Sequence, residues 1–289
     1  MPNIAYVNGK WVALSSAMIA VEDRGFQFGD GVYELIRTYQ DRIFHVDEHI
    51  RRLFVSAREI QITPKETPLQ IQKIIEKGCI KSGYKNVKIY IQITRGTAPR
   101  FHAFPKTAAP TSVYTFRKLD ALPQNLYDQG VSVMTVEDIR WSRCHVKSLN
   151  LLPNVLAREQ AVRSKAYEAL FVRNGVVWEG AGSNIFAVFG KKIVTPPCGP
   201  FLLSGITREQ VITLAKKGGM KIQEENIALA DLYQADEVFL TGTTVEILPV
   251  VRVDRKKIGT GKHGATTTLL YAAFKEEIRS FWGHSSKQA

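Results

Sequence analysis

The stretch that most constrains the fold is Val87-Lys88-Ile89-Tyr90-Ile91-Gln92-Ile93-Thr94. Its strict alternation is the period-two signature of a β-strand with one apolar face and one face of larger, more polar groups. Strand-like segments surround it. Ala5-Tyr6-Val7-Asn8-Gly9-Lys10-Trp11-Val12 predicts a hairpin, because Asn-Gly supplies the positive φ angles of a type I′ turn. Residues 28–39 and 42–44 predict two strands joined at Gln40-Asp41, and residues 112–116 another. Helical spacing interrupts them. From about Asp47, the residues Ile50, Leu53, Phe54, Ala57 and Ile60 share one face. A second helix is expected over Pro68–Ser82, entered through proline and left near Gly83.

A turn-rich stretch at 120–128 marks the expected boundary, giving a small N-terminal domain over 1–119 and a larger one over 120–289. Beyond it, residues 130–136 predict a strand and 153–167 a helix with proline in its first turn. Residues 169–172 and 176–178 form a hairpin around Asn174-Gly175, and 184–188 and 192–195 are further strands. Ser204-Gly205-Ile206-Thr207 opens a helix to about 217. Residues 238–240 form a strand that ends in Thr241-Gly242-Thr243-Thr244. A last amphipathic helix spans 266–282, with a frayed tail at 285–289.

Composition removes several function classes. Hydrophobic residues at 45% and charged residues at 23% are ordinary for a globular protein. The apolar runs are too short to span a bilayer, and Met1-Pro2-Asn3-Ile4 lacks a signal peptide's basic and apolar regions, so the cytoplasm is the expected location. Cys79, Cys144 and Cys198 lie far apart without a C-x-x-C pair and read as free thiols, Cys144 as a buried strand residue. The net charge of +12 is scattered over Lys191-Lys192, Lys216-Lys217, Arg255-Lys256-Lys257 and Lys262, so nucleic acid is not an expected partner. His45 and His49 have the i, i+4 spacing of a zinc pair, but the residues between them are not those of H-E-x-x-H, and no metal is expected.

The chemistry-bearing residues begin with Lys147, in Cys144-His145-Val146-Lys147-Ser148-Leu149-Asn150, and Glu179, in Trp178-Glu179-Gly180-Ala181-Gly182-Ser183-Asn184. A lysine closing one strand and a glutamate closing another suit a pyridoxal phosphate enzyme: the amine forms a Schiff base with the cofactor aldehyde, and the carboxylate keeps the pyridine nitrogen protonated. Ser204-Gly205-Ile206-Thr207 at a helix start offers unpaired N–H groups to a phosphate, although taken alone a plain N-cap is the commoner use of such a segment. The Thr241-Gly242-Thr243-Thr244 loop carries the same two readings, and neither loop matches G-x-x-x-x-G-K-[ST]. Arg51 and Arg52 are equal candidates for a phosphate clamp. Arg100 and His102, at i, i+2 in an extended loop, can make a carboxylate trap, and Tyr33 can add a hydroxyl.

Together these segments resemble the fold-type IV pyridoxal phosphate enzymes, and most closely the bacterial D-amino acid aminotransferases. The resemblance is carried by the segment from Glu22 to Glu34, by Thr94-Arg95-Gly96-Thr97 with Arg100 and His102, and by Lys147-Ser148-Leu149-Asn150. The segments at Glu179, at Gly205 and at Thr241 follow in the family's order. It implies an α+β, two-domain fold: a small N-terminal α/β domain and a larger C-terminal domain with a mixed β-barrel-like core. It also implies a homodimer in which a second subunit completes the wall of the site. By resemblance the phosphate clamp falls on Arg52, the backbone donors on Ile206 and Thr207, and the hydroxyl donor on Thr243, with Thr244 second. Leu203 is implied to pack on the cofactor ring, and Tyr33, Arg100 and His102 to hold the substrate α-carboxylate. The implied reaction is transamination of D-amino acids such as D-alanine with 2-oxoglutarate. Glu179-Gly180-Ala181-Gly182 and Thr241-Gly242-Thr243 look more like the L-branched-chain relatives, which stay open as an alternative. So do an (R)-amine transaminase, an aminodeoxychorismate lyase and, from another class, a basic non-catalytic binding protein.

Overall fold

The structure, a computed structural model, describes residues 3–283. The tail expected to fray at 285–289 lies outside the described residues. The chain divides into two units, Met1–Asp120 with Val146–Leu151, and Ala121–His145 with Leu152–Ala289. A single cut at 119/120 leaves Val146–Leu151 in the second domain, whereas its contacts are with the first unit.

In the first unit, β1 (Ile4–Val7) and β2 (Lys10–Ala13) form the expected hairpin, with Asn8 and Gly9 at φ of 46° and 95°. A short helix α1 (Arg24–Phe28) precedes β3 (Gly31–Tyr39), so Phe28 is helical rather than the start of a strand. The cause is local: the Asp23 side chain accepts from the Gly25 N–H to start the helix, and Gly29 ends it in the left-handed region at φ 68°. Then come β4 (Arg42–Ile43), α2 (Val46–Glu59), α3 (Pro68–Ser82), β5 (Val87–Thr94) and β6 (Thr111–Lys118). The sheet is antiparallel in the order β2-β1-β6-β5-β3-β4. Val87, Ile89, Ile91 and Ile93 of β5 are fully buried in a core that also holds Ile50, Leu53, Ala57, Ile71 and Ile75 from the two long helices. Thr67 and Gln70 close a capping box on α3, and Gly83 ends it in the left-handed region.

In the second unit, the expected turns at 120–128 hold a short helix, α4 (Gln124–Gln129). It is followed by β7 (Val131–Glu137), α5 (Leu152–Arg163), β8 (Glu168–Arg173), β9 (Val176–Gly180), β10 (Asn184–Phe189) and β11 (Lys192–Thr195). Then come α6 (Ile206–Lys217), β12 (Lys221–Glu224), β13 (Ile227–Ala228), α7 (Leu229–Leu232), β14 (Glu237–Gly242), β15 (Glu246–Val253), β16 (Lys256–Lys257) and α8 (Ala265–Gly283). The β8–β9 turn places Asn174 and Gly175 at φ of 51° and 75°, as Asn-Gly predicts. Helix α5 stops at Arg163 rather than 167, because Lys165 turns to φ 58° and the Tyr167 N–H goes to the Ser132 carbonyl of β7. The sheet runs β12-β11-β10-β14-β15-β7-β8-β9-β13, with β16 on β15. It is mixed: β11–β12, β15–β7 and β7–β8 are parallel and the other pairs antiparallel.

Candidate active site

Lys147 belongs to the first unit and lies outside any long strand. Its segment is laid along the start of β3: Ser148 bridges Val32, the Tyr33 N–H donates to the Lys147 carbonyl at 3.0 Å, and the Leu149 N–H to the Gly31 carbonyl at 3.0 Å. Gly31 is required by this approach, since a Cβ there would stand 2.8 Å from both the Ile93 carbonyl and a Leu149 methyl. Helix α2 fixes the other side, with Ser56 Oγ accepting from the Lys147 N–H at 3.1 Å. The ammonium stands 4.3 Å from the centroid of the Tyr33 ring. Among the described residues it has no acidic partner, so the amine is held by an aromatic face and left available for reaction.

On the buried side of β3, with Val32 and Ile36, stands an acid. Glu34 is fully buried and takes three donors from α2: Arg52 Nε at 2.7 Å, Arg52 Nη2 at 2.9 Å and His49 Nδ1 at 2.7 Å. Burial pushes the Glu34 carboxyl up, but Arg52 and His49 outweigh it and hold it well below the usual carboxylate range. Burial also drives the His49 imidazole down; Glu34 pulls it back in part, and Arg52 and Lys147 lower it further. The Glu34 carboxylate is thus held charged by its donors, and the His49 ring, lowered from its ordinary value, stands with Nδ1 2.7 Å from Oε2. Arg52 is thereby locked in orientation, while its neighbour Arg51 is exposed. His45, at φ 51°, is the residue before the helix, and no cluster of metal ligands occurs among the described residues.

The trio Tyr33, Arg100 and His102 is brought together only in part. The Arg100 guanidinium lies 4.8 Å from the centroid of the Phe28 ring, and the His102 ring 5.4 Å from it. Both residues are exposed, in the loop after β5. Tyr33 packs instead on Lys147 and on Tyr90, and among the described residues it makes no hydrogen bond or ring contact to Arg100 or His102.

In the second unit, Glu179 near the end of β9 is buried among donors. Oε1 receives Arg140 Nη1 at 2.5 Å, and Oε2 receives the Leu203 N–H at 3.1 Å and Asn184 Nδ2 at 3.2 Å. Arg140 is held in turn by Asp138, through Nε at 2.9 Å and Nη2 at 3.1 Å. Asn184 also donates to the Leu203 carbonyl at 2.9 Å, which fixes the residue expected to cover a cofactor ring. Cys144 sits in a turn rather than a strand, and burial pushes its thiol up to about 11, which argues against a nucleophile.

Helix α6 follows its N-cap Gly205, where a Cβ would meet Asn184 Oδ1 at 2.0 Å. Its N-cap, Gly205, has no side chain to cap the first turn, and the N–H groups of Ile206 and Thr207 stand at the positive end of the helix. Thr243 and Thr244 lie in the turn between β14 and β15. Next to them Thr241 Oγ1 is buried with no hydrogen-bond partner among the described residues. The groups present fit pyridoxal phosphate: a lysine without an acidic partner among the described residues, a buried carboxylate held by donors, a fixed arginine, the amides of a helix start and a buried threonine hydroxyl.

Sequence reasoning missed Glu34, Arg140, Asp138, Asn184 and Thr241. The i, i+3 spacing of His49 and Arg52 on one helical face was a signal for a shared partner; which acid it would be, no local pattern shows.

These side chains are of the kinds that the sequence leads one to expect of a pyridoxal phosphate enzyme. The class IV aminotransferase family matches residues 31–253. A D-alanine aminotransferase of Staphylococcus haemolyticus is 39% identical over 275 residues, covering 95% of this chain and 98% of that enzyme. Among solved structures, the Escherichia coli branched-chain amino acid aminotransferase matches with a TM-score of 0.90 and 28% identity, over 96% of this chain and 95% of that one. A branched-chain amino acid aminotransferase of T.th. origin, solved with pyridoxamine 5'-phosphate, matches with a TM-score of 0.90 and 27% identity, over 97% and 95%. The chain belongs to the class IV aminotransferase family. It is a pyridoxal phosphate-dependent aminotransferase of fold type IV.

Proposed function

We propose that the chain transfers the amino group of D-amino acids such as D-alanine to 2-oxoglutarate, giving the 2-oxo acid and D-glutamate. The observation that carries this is the Arg100–His102 pair gathered on Phe28, two donors for one carboxylate. The D-alanine aminotransferase at 39% identity supports it.

When bound, pyridoxal phosphate supplies an electron sink for the pair left at the substrate Cα. Lys147 tethers the cofactor, and its freed amine takes the Cα proton and holds it at Nζ. Glu179 stabilises positive charge at the ring nitrogen, and its donors keep the carboxylate in place for that task. Arg52 clamps the phosphate with the amides of Ile206 and Thr207 and the hydroxyl of Thr243, Thr244 standing second. Leu203 covers the ring. Tyr33, Arg100 and His102 hold the α-carboxylate, and so select which face of the substrate presents its hydrogen to Lys147. A homodimer and a cytoplasmic location belong to the same proposal: all three cysteines are free thiols, and no helix among the described residues is long and apolar enough to cross a membrane.

The alternative is a branched-chain L-aminotransferase, favoured by the structural match to the Escherichia coli enzyme and by Gly180-Ala181-Gly182 after Glu179. One assay separates the readings: D-alanine, L-leucine and an (R)-amine are compared as donors to 2-oxoglutarate. D-alanine is expected to be the preferred donor. Preference for L-leucine would transfer the assignment to the alternative.

A further inference from the structure

The loop that carries Arg100 and His102 has almost no regular structure, and its side chains at 100–103 are exposed. Such a segment cannot hold two donors in register for a carboxylate unless its backbone is anchored. The anchor is visible. Arg24, 3% exposed, donates from Nη1 to the Phe101 carbonyl at 2.6 Å and the Ala103 carbonyl at 3.4 Å, and from Nη2 to the His102 carbonyl at 3.3 Å. Three consecutive carbonyls converge on one guanidinium.

That guanidinium is itself immobilised. Its Nε donates to Asp30 Oδ2 at 2.8 Å, and the same oxygen receives Arg95 Nε at 2.8 Å. Arg95 continues to Asp30 Oδ1 at 2.9 Å and to the carbonyls of Ile60 at 2.7 Å and Gln61 at 2.8 Å, at the end of α2. Arg24 also lies 4.8 Å from the centroid of the Phe28 ring, the ring that Arg100 and His102 approach. One buried arginine therefore grips the backbone of the loop and supports the ring on which both side chains rest.

We propose that Arg24 is a positioning residue for carboxylate recognition: it fixes the 100–103 backbone, and through Phe28 the directions of Arg100 and His102. The inference rests on the carboxylate role proposed for that pair. An arginine is needed because a lysine presents one point charge, whereas the guanidinium fork reaches several carbonyls and Asp30 at once. A loosened loop must be ordered at each binding event, and that cost falls on substrate affinity rather than on proton transfer at Lys147.

The test compares holoenzyme carrying R24M, R24K or R100A with wild type. It uses D-alanine and 2-oxoglutarate kinetics together with amide hydrogen exchange over residues 97–104. R24M is expected to raise both KM values about tenfold or more with kcat within about threefold, and to speed exchange in the loop. R24K should fall between R24M and wild type. Unchanged KM in R24M, with R100A raising it, overturns the role of Arg24 and leaves the carboxylate pair standing. Lost kcat at unchanged KM marks a purely structural arginine and also overturns it. If R100A itself leaves KM unchanged, the carboxylate role falls and this inference with it. Should R24M fail to fold, R24K decides: a raised KM supports the proposal and a wild-type KM overturns it.

Discussion

Two residues carry predictions that separate chemistry from folding. Lys147 makes no ion pair among the described residues and is held by Tyr33 and by its own backbone bonds, so removing its side chain costs little stability. Lys147→Ala should lower transamination by about a thousandfold or more, the scale of a lost proton-transfer group, with a cooperative thermal transition retained. Substantial turnover by the variant would sink the assignment. His49 behaves in the opposite way. Its folded-state protonation is depressed from an ordinary 6.5, and that of Glu34 from an ordinary 4.5. For both, the unfolded chain binds protons that the folded chain refuses, so stability is full above the unfolded values and falls with pH. The His49 contribution should begin to drop below about pH 6.5, at up to about 1.4 kcal/mol per pH unit, and Glu34 should follow below about pH 4.5. Urea midpoints measured from pH 8 to 5 check this: they should fall for wild type and flatten in His49→Gln.

At the scale of elements, a packing contact is set against a propensity. Gly78 lies inside α3, where alanine is better by about 1 kcal/mol. A Cβ at Gly78 would, however, stand 2.0 to 2.4 Å from three atoms of the fully buried Phe116 ring of β6. Overpacking costs about 1–3 kcal/mol and here sits at the upper end, so Gly78→Ala should destabilise by about 2 kcal/mol in urea unfolding, against the helix scale. The boundaries of α3 were legible because Pro68, the Thr67–Gln70 box and Gly83 are local signals, as was the alternation of β5. Strand β15 was not, because residues buried on both faces leave no alternation to read. Nor was the start of β3, where Asp23 and Gly29 build a turn of helix from residues that also suit a strand. Of the proposed site residues, Lys147, Glu179 and Arg52 stand in recognisable motifs. Glu34 stands 15 and 18 residues from its partners His49 and Arg52, and only the packing of α2 on β3 joins them. The loop's dependence on Arg24, 77 residues from Phe101, is of the same kind.

For the molecule as a whole, helix α5 raises the question of assembly. Ala157 and Ala161 are buried with Ala169 and Phe171 of β8, which accounts for one side. The other side presents Leu152, Val155, Leu156 and Val162, each more than half exposed. A helix that is apolar on both sides needs two covers, and the described residues supply one. Exposed Met18, Val21, Phe26, Phe101 and Phe104 in the first unit show the same demand. Burying a Leu or Val in full is worth about 1.5–3 kcal/mol, so three or four such side chains on α5 are enough to matter to association. The second copy of the chain proposed above is the cover these faces call for. Light scattering on purified protein should therefore give a mass of twice 32.4 kDa. Placing charge on the face, as in V155E combined with L156E, should shift it toward 32.4 kDa while the far-UV signature of the fold is kept. A wild-type mass of 32.4 kDa at micromolar concentration would remove the dimer and leave the α5 face needing a different partner.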